Sequence, residues 1–300
     1  MKKKILVTGS HRSGSTWTGK VISQSNSVRY VREPFNIGEK SKKKYDPPFR
    51  YWFEYMPATS DYHQDKVLKY LNSFDSITSI NDIFRHKKIN TLRRLYHALK
   101  DHQSKMFKRS LYKDPIAIMS AEWFYSTFNS DVIVLIRHPA AFVASLKVID
   151  WFFDFNNLKD QPQLIDENFP FFKEQIIEFS NEKKDIIDQG ILLWNTIHSM
   201  ILQYQVKYYK EWIFAKHEDL SKEPLQEFRE IFNRLDIQFN DNIENYILKV
   251  TQPNEDGGIG RDAKKNVKNW KNRLTEEEIY RVKKGTSDLW QEFYTDKDWN

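Results

Sequence analysis

Ile5-Leu6-Val7-Thr8-Gly9-Ser10-His11-Arg12-Ser13-Gly14-Ser15-Thr16-Trp17 is the stretch whose reading decides the fold. An apolar run of strand type stops at a glycine, a small polar loop follows, and helix-compatible sequence continues to Ile22. Backbone N–H groups at a helix start have no partner within the helix and point at whatever lies there. Glycine lets the backbone curl round an anion without a side chain in the way. The spacing Gly9-x-x-x-x-Gly14 matches a nucleotide-binding P-loop, but Ser15 stands where that motif has lysine, and the cation comes earlier, at Arg12. The loop reads as a cradle for a phosphate-like group built differently from that of an ATPase. An ordinary strand–helix turn is the alternative.

Similar strand-like runs recur along the chain, at Lys4–Thr8, Val28–Val31, Ser110–Lys113, Asp131–Arg137 and Glu211–Ala215. Every side chain of Val132-Ile133-Val134-Leu135-Ile136 is apolar, as in a strand covered on both faces. Helix-like stretches follow most of them, at about 15–24, 116–128, 139–150 and 222–235. The alternation predicts an α/β fold, a doubly wound parallel sheet flanked by helices, with ligands at the carboxyl ends of the strands. Two regions interrupt it. Residues 36–108 read as a helical and loop insertion, and 151–170 as an aromatic loop beginning Trp151-Phe152-Phe153-Asp154-Phe155. A Gly257-Gly258-Ile259-Gly260 break and a basic run to Trp270 come late, before a final helix opened by Thr275 with Glu278 three residues on. No repeat or low-complexity linker divides the chain, so a single domain over 1–300 is expected.

The composition narrows the chemistry. With 40% hydrophobic and 15% aromatic residues the chain can bury a substantial core, which excludes disorder by composition. There is no cysteine, hence no disulfide, thiolate catalysis or cysteine-type zinc site. The eight histidines show no metal-ligand spacing, and no metal is expected. A net charge of +6 fits an anionic ligand or a lysine-rich solvated surface. Only three apolar residues separate Lys4 from Thr8, too few for a signal sequence, and no later run has the length of a membrane span. The expectation is a cytoplasmic protein.

Three further positions carry candidate chemistry. Glu33, in Val31-Arg32-Glu33-Pro34-Phe35-Asn36, follows the second strand and is expected beside the P-loop. It reads either as a general base for an attacking hydroxyl or as an ion-pair partner of Arg32, Arg12 or a surface lysine. Lys113, before Asp114-Pro115, can reach the cradle and neutralise developing charge, or can be a strand-end surface lysine. Arg137 ends the most apolar strand, where a P-loop NTPase has a Mg²⁺-binding aspartate. A cation there argues against ATP hydrolysis and for a second anionic group on the ligand. Ser145, eight residues on, can add a hydroxyl to that group. His11 is a candidate ligand contact or a solvent-facing loop residue, and Glu218-Asp219 read as structural, with Asp219 or Ser221 as a helix cap.

Taken in order, Arg12-Ser13-Gly14-Ser15-Thr16-Trp17, Arg32-Glu33-Pro34-Phe35, Lys113-Asp114-Pro115, Arg137-His138-Pro139 with Ser145, Lys216-His217-Glu218-Asp219-Leu220, and Arg261–Lys271 with Trp270 resemble the sulfotransferases. These enzymes use 3′-phosphoadenosine-5′-phosphosulfate (PAPS) as donor. The resemblance implies that Arg12, Ser13, Gly14, Ser15, Thr16 and Trp17 hold the 5′-phosphosulfate, with Arg12 steadying the transferring group and Trp17 against adenine. It implies that Arg137 and Ser145 bind the 3′-phosphate, with Arg261, Lys264 and Lys265 as further candidates. It makes Glu33 the base, as in the carbohydrate and tyrosylprotein branches, and Lys113 the stabiliser of the leaving group, without a metal. His138 stands where relatives commonly have aspartate, and the C-terminal basic loop does not align cleanly with the cytosolic members' Arg-Lys-Gly. A soluble bacterial-type member is the better fit. The aromatic and basic content of 36–108 and 151–170 suits a carbohydrate acceptor, an acidic one included. The expected partners are PAPS and a hydroxyl acceptor, not nucleic acid. A P-loop kinase or NTPase, and a non-catalytic polyanion-binding module, are the rival readings.

Overall fold

The computed structural model describes residues 2–38, 47–58, 64–76, 91–251 and 267–300. Its centre is a five-stranded sheet of β1 (Ile5–Gly9), β2 (Val28–Arg32), β3 (Arg109–Lys113), β4 (Asp131–Ile136) and β5 (Ile213–Lys216). The order is β2-β3-β1-β4-β5 and every pairing is parallel. The expected strands therefore form the expected doubly wound sheet, with ends shifted by a residue or two.

The period-2 alternation of strand side chains divides the core into two layers. Leu6, Val132, Val134 and Ile136 face one way, against α4 (Ala121–Phe128), α5 (Pro139–Val148) and α6 (Ile186–Tyr208). Ile5, Val7, Ile133 and Leu135 face the other way, against α1 (Ser15–Ile22), α8 (Pro224–Arg234) and α9 (Asp241–Thr251). The short helix α7 (His217–Lys222) joins β5 to α8. Helices α10 (Glu276–Gly285) and α11 (Ser287–Phe293) close the C-terminal end, and Thr275 with Glu278 forms the expected capping box of α10.

The register fixes where chemistry can occur. Val7 pairs with both Lys113 and Ile133, Arg32 pairs with Lys113, and Ile136 pairs with Lys216. All carboxyl ends thus lie along one edge, and the loops leaving it converge. One expectation needs correction. Glu33 does not lie directly beside the P-loop strand, because β3 intervenes between β1 and β2. Lys113, at the end of that intervening strand, bridges the gap.

The region 36–108 contains α2 (Gln64–Asp75) and α3 (Leu92–Phe107). Helix α2 is fastened to the sheet, with Tyr70 Oη donating to the Pro34 carbonyl at 2.9 Å and Lys4 Nζ 2.7 Å from the Asp75 carboxylate. The region 151–170, expected as a loop, folds into two short helices, Asn156–Lys159 and Pro162–Asn168. Pro162 opens the second, where its fixed φ and missing N–H suit a helix start. This region is sewn to the segment around Trp52: the Trp52 amide donates to Asn157 Oδ1 at 2.9 Å and the Tyr55 amide to Gln161 Oε1 at 2.8 Å. The described segment around Trp52 and the helices of 151–170 are thus held together by backbone-to-side-chain bonds.

Candidate functional site

The P-loop begins where β1 cannot continue. Gly9 has φ +125°, and a Cβ there would lie 2.2 Å from the Leu135 carbonyl oxygen of β4. Arg12 and Gly14 take left-handed conformations with φ 64° and 88°. Gly14 precedes α1 without a side-chain cap, and no acidic residue occupies the first turn. Uncapped amides and the positive end of the helix dipole together favour an anion at this point. The Ser13 hydroxyl donates to the Ser10 carbonyl, which closes the loop. A Cβ on Gly14 would lie 2.6 Å from His217 Nδ1, so the loop rests directly on the start of α7.

Above the loop lies a cavity of about 970 Å³. Arg12, Gly14, Ser15, Thr16 and Trp17 line it, together with Glu33, Arg137 and Ser145. These residues come from the ends of three strands and from α1 and α5. Ser13 is buried with its hydroxyl engaged inside the loop and does not line the cavity. Ser145 Oγ donates to the Phe142 carbonyl at 2.7 Å. Trp17 packs edge-on to Phe228, with ring centroids 5.3 Å apart. Arg261, Lys264 and Lys265 lie outside the described residues. Arg273, just past the basic stretch quoted from the sequence, does line the cavity.

Lys113 lies one layer below. It is 1% exposed, and its Nζ donates to Glu33 Oε1. The Glu33 amide donates to the Lys113 carbonyl at 2.8 Å, and Asn36 Nδ2 donates to Glu33 Oε2 at 2.9 Å. Glu33 has φ 43°, a strained conformation for a residue with a Cβ. Asp114, fully buried, pins this turn by accepting from the Phe35 amide at 2.6 Å and the Ile116 amide at 3.2 Å. Burial pushes the Glu33 carboxyl up, but hydrogen bonds from Lys113 and Asn36 and the charge of Lys113 outweigh it and hold the pKa below the usual value. Glu33 is thus ion-paired, with the buried Lys113 rather than with a surface lysine, and it also lines the cavity.

Arg137 follows β4, and its guanidinium donates to the Arg12 carbonyl. Its own carbonyl accepts from Trp194 Nε1 at 2.9 Å. Glu218, read from the sequence as a structural residue beside a helix cap, sits behind it. Asp219 and Ser221 lie inside α7 rather than capping the helix expected from 222, and α8 starts after Glu223 with no side-chain cap. Ser221 Oγ instead donates to the His217 carbonyl at 2.8 Å. The buried Glu218 accepts from the His138 amide at 3.1 Å and Tyr294 Oη at 2.9 Å, tying the end of β4 to the C-terminal segment. Burial raises the Glu218 pKa, while the positive charge of Arg137 opposes the rise.

Sequence reasoning did not single out Asn36, His217 or Arg273. Asn36 and Arg273 carried only the weak signal of lying near a motif. His217 was legible as part of the Lys216-His217-Glu218-Asp219-Leu220 segment, but nothing local places it under Gly14. Burial and the charge of Arg137 bring its pKa down to about 3, so the ring is neutral. Among the described residues no cluster of metal-ligating side chains occurs, and no helix is long and apolar enough to cross a membrane.

Comparison with known proteins follows the same lines. The sulfotransferase domain family matches residues 2–294. The sulfotransferase domain from the curacin biosynthetic pathway superposes with a TM-score of 0.51 at 16% identity, over 96% of this chain and 98% of that one. The sulfotransferase STF9 from Mycobacterium avium gives 0.47 at 14% identity, over 97% and 77%. The mouse sulfotransferase SULT7A1, solved with PAP, gives 0.48 at 11% identity, over 99% and 86%. No curated protein matches the sequence.

Proposed function

The chain belongs to the sulfotransferase domain family and is a PAPS-dependent sulfotransferase, and from that premise we propose that it sulfates a carbohydrate hydroxyl with Glu33 as general base. The observation that carries the proposal is Glu33 on the wall of the cavity that the P-loop also lines, with Lys113 buried beneath it and donating to it.

The cavity fits the donor by its own features. Gly14 presents an uncapped helix start, and Arg12, Arg137 and Arg273 bring three guanidinium groups to one space. A nucleotide with phosphate groups at both ends of its ribose needs separated cations of this kind. We assign the loop amides, Ser15, Thr16 and Arg12 to the 5′ side, Arg137 and Ser145 to the 3′-phosphate, and Trp17 to the base. Ser13 serves by shaping the loop. Arg261, Lys264 and Lys265 remain proposed 3′-phosphate contacts.

The bound donor supplies a sulfuryl group on a phosphate leaving group. Glu33, ionised at neutral pH, accepts the proton of the acceptor hydroxyl as that oxygen attacks. Lys113 Nζ, buried beneath Glu33 and donating to it, orients that carboxylate, and we assign to it the stabilisation of the oxygen that gains charge as the S–O bond breaks. Arg12 and the loop amides stabilise the spread charge, and catalysis is mainly positioning and electrostatics. No step requires a metal. In this proposal the chain works as one domain, and the described segment around Trp52 supplies part of the acceptor wall.

The acceptor half supports a carbohydrate through Trp52 and Trp151, whose rings lie 5.7 Å apart on the cavity wall. Flat aromatic faces match the C–H faces of sugars, and Asn36 offers a polar edge.

Calorimetric titration tests the donor assignment, with 3′-phosphoadenosine 5′-phosphate (PAP) compared with ADP and Mg²⁺, on wild type and Arg137→Ala. The proposal expects tight binding of PAP alone and at least a tenfold loss in the variant. A preference for ADP, or indifference to Arg137, defeats the donor-site assignment. A screen of neutral sugars, acidic sugars and phenols then tests the acceptor class, and turnover of phenols alone defeats the carbohydrate reading.

A further inference from the structure

His11 occupies a position that neither the loop's closure nor the donor site explains. It precedes Arg12 in the P-loop, is 8% exposed, and lines the same cavity as Glu33 and Trp52. Both of its ring nitrogens are buried with no hydrogen-bond partner among the described residues. Its neighbours are aromatic rings: Phe142 and Trp151 edge-on at 4.9 Å each, and Phe53 at 6.0 Å. None of these contacts pairs a ring nitrogen.

An imidazole kept unpaired in an aromatic box opposes folding, since a buried polar group without a partner loses its hydration and gains nothing in return. A phenylalanine would fill such a box at lower cost. Unpaired buried groups of this kind point to a partner that arrives with a ligand. The direction from which it arrives is set by the walls. Phe53 and Phe142 belong to the buried core, whereas Trp151 is half-buried, stands in the segment after α5, and lines the cavity. Trp151 is therefore the ring that can yield, and it is continuous with Trp52 on the acceptor side.

We infer that His11 is an acceptor-binding residue, hydrogen-bonding a hydroxyl next to the one that reacts when the Trp151 ring gives way to the acceptor. The inference rests on the carbohydrate reading above and deepens it. Burial, with the charge of Arg12 in addition, brings the His11 pKa down to about 3, so the ring is neutral at physiological pH. A neutral imidazole has one donor and one acceptor nitrogen, which matches a hydroxyl that also does both. A carboxylate or sulfate on the acceptor would find in the ring itself a single donor and no charge. The substrate class selected at this position is therefore an uncharged polyol rather than an acidic sugar.

The test uses the whole protein saturated with PAP, titrated calorimetrically with 4-nitrophenyl β-D-galactopyranoside, and thermal melting of the protein alone. The variants are His11→Phe and His11→Asn. His11→Phe is expected to melt at or above the wild-type temperature, to keep its PAP affinity within twofold, and to bind the galactoside about tenfold more weakly, the loss expected for one hydrogen bond. His11→Asn, which keeps a donor and an acceptor, is expected to recover part of that binding. Unchanged galactoside affinity in His11→Phe overturns the proposal whatever the melting temperature. Weakened binding with a lowered melting temperature supports it if His11→Asn restores binding and overturns it otherwise. If wild type itself does not bind the galactoside, the carbohydrate reading falls and the assignment of His11 falls with it, an outcome distinct from failure at His11 alone.

Discussion

The ammonium of Lys113 is buried beneath the carboxylate of Glu33 and donates to it, so base and cation reach the site as a single unit. The pair joins the turn after β2 to the end of β3 across one strand spacing. Neither residue can be altered without exposing the other's need for a partner.

Glu33→Gln is expected to lower turnover by about 10²–10⁴-fold, the range for loss of a general base. PAP affinity should stay within threefold. The melting temperature should also fall, because Lys113 is left buried without its counter-charge. Steady-state PAP release, calorimetry and thermal melting separate the three effects. Full turnover in the variant would remove Glu33 from the base role.

The pH dependence follows from the sign of the Glu33 shift. Its folded-state pKa is depressed, so its contribution to stability is present above the unfolded value near 4.5 and is lost as pH falls through the folded value below it. The acid limb of kcat/KM should accordingly lie below about pH 4.5, and Asn36→Ala should move it upward by removing one of the hydrogen bonds that depress the pKa. A pH–rate profile of both proteins decides this. An acid limb near pH 6.5 would point to a histidine base.

Gly14→Ala should be severe for two reasons that can be separated. Its φ of 88° costs about 1–2 kcal/mol for any L side chain, and its Cβ would collide with His217. His217→Ala should relieve the collision and leave the φ strain. A double-mutant cycle on unfolding free energy should thus show a coupling of about 1 kcal/mol. Strict additivity would mean that the loop shifts away from α7.

Asp114→Ala removes the acceptor of two backbone amides that shape the Glu33 turn. A loss of about 2 kcal/mol in unfolding free energy is expected, together with a fall in kcat and little change in PAP affinity. Asp114→Asn, which keeps an acceptor oxygen, should recover part of both. If kcat is untouched, the turn holds its shape by other contacts.

The sheet was legible because its signals are local. The short apolar run Val132–Ile136, rich in β-branched residues, reads as a covered strand, and Gly9 and Gly14 both take positive φ where a Cβ would collide. The motif residues were legible for the same reason, and most of them line one cavity. Adjacency is not legible: strand order is not written in the sequence, and β3 lies between the strand that leads to Glu33 and β1. The region 151–170 read as a loop because its short helices are held by Asn157 and Gln161 bonding to a segment a hundred residues away, not by their own periodicity.

By itself, then, the sequence determined the parallel α/β scaffold, the P-loop and the identities of the charged residues at the strand ends, since each depends on contacts within a few positions of the chain. Only the tertiary structure decided that Lys113 sits under Glu33, that His217 supports Gly14, that Glu218 backs Arg137, and that His11 is boxed in by aromatic rings with its nitrogens unpaired. These relationships join residues distant in the chain. They exist because packing at the carboxyl edge removes water from polar groups and leaves each of them dependent on whichever partner the fold brings near.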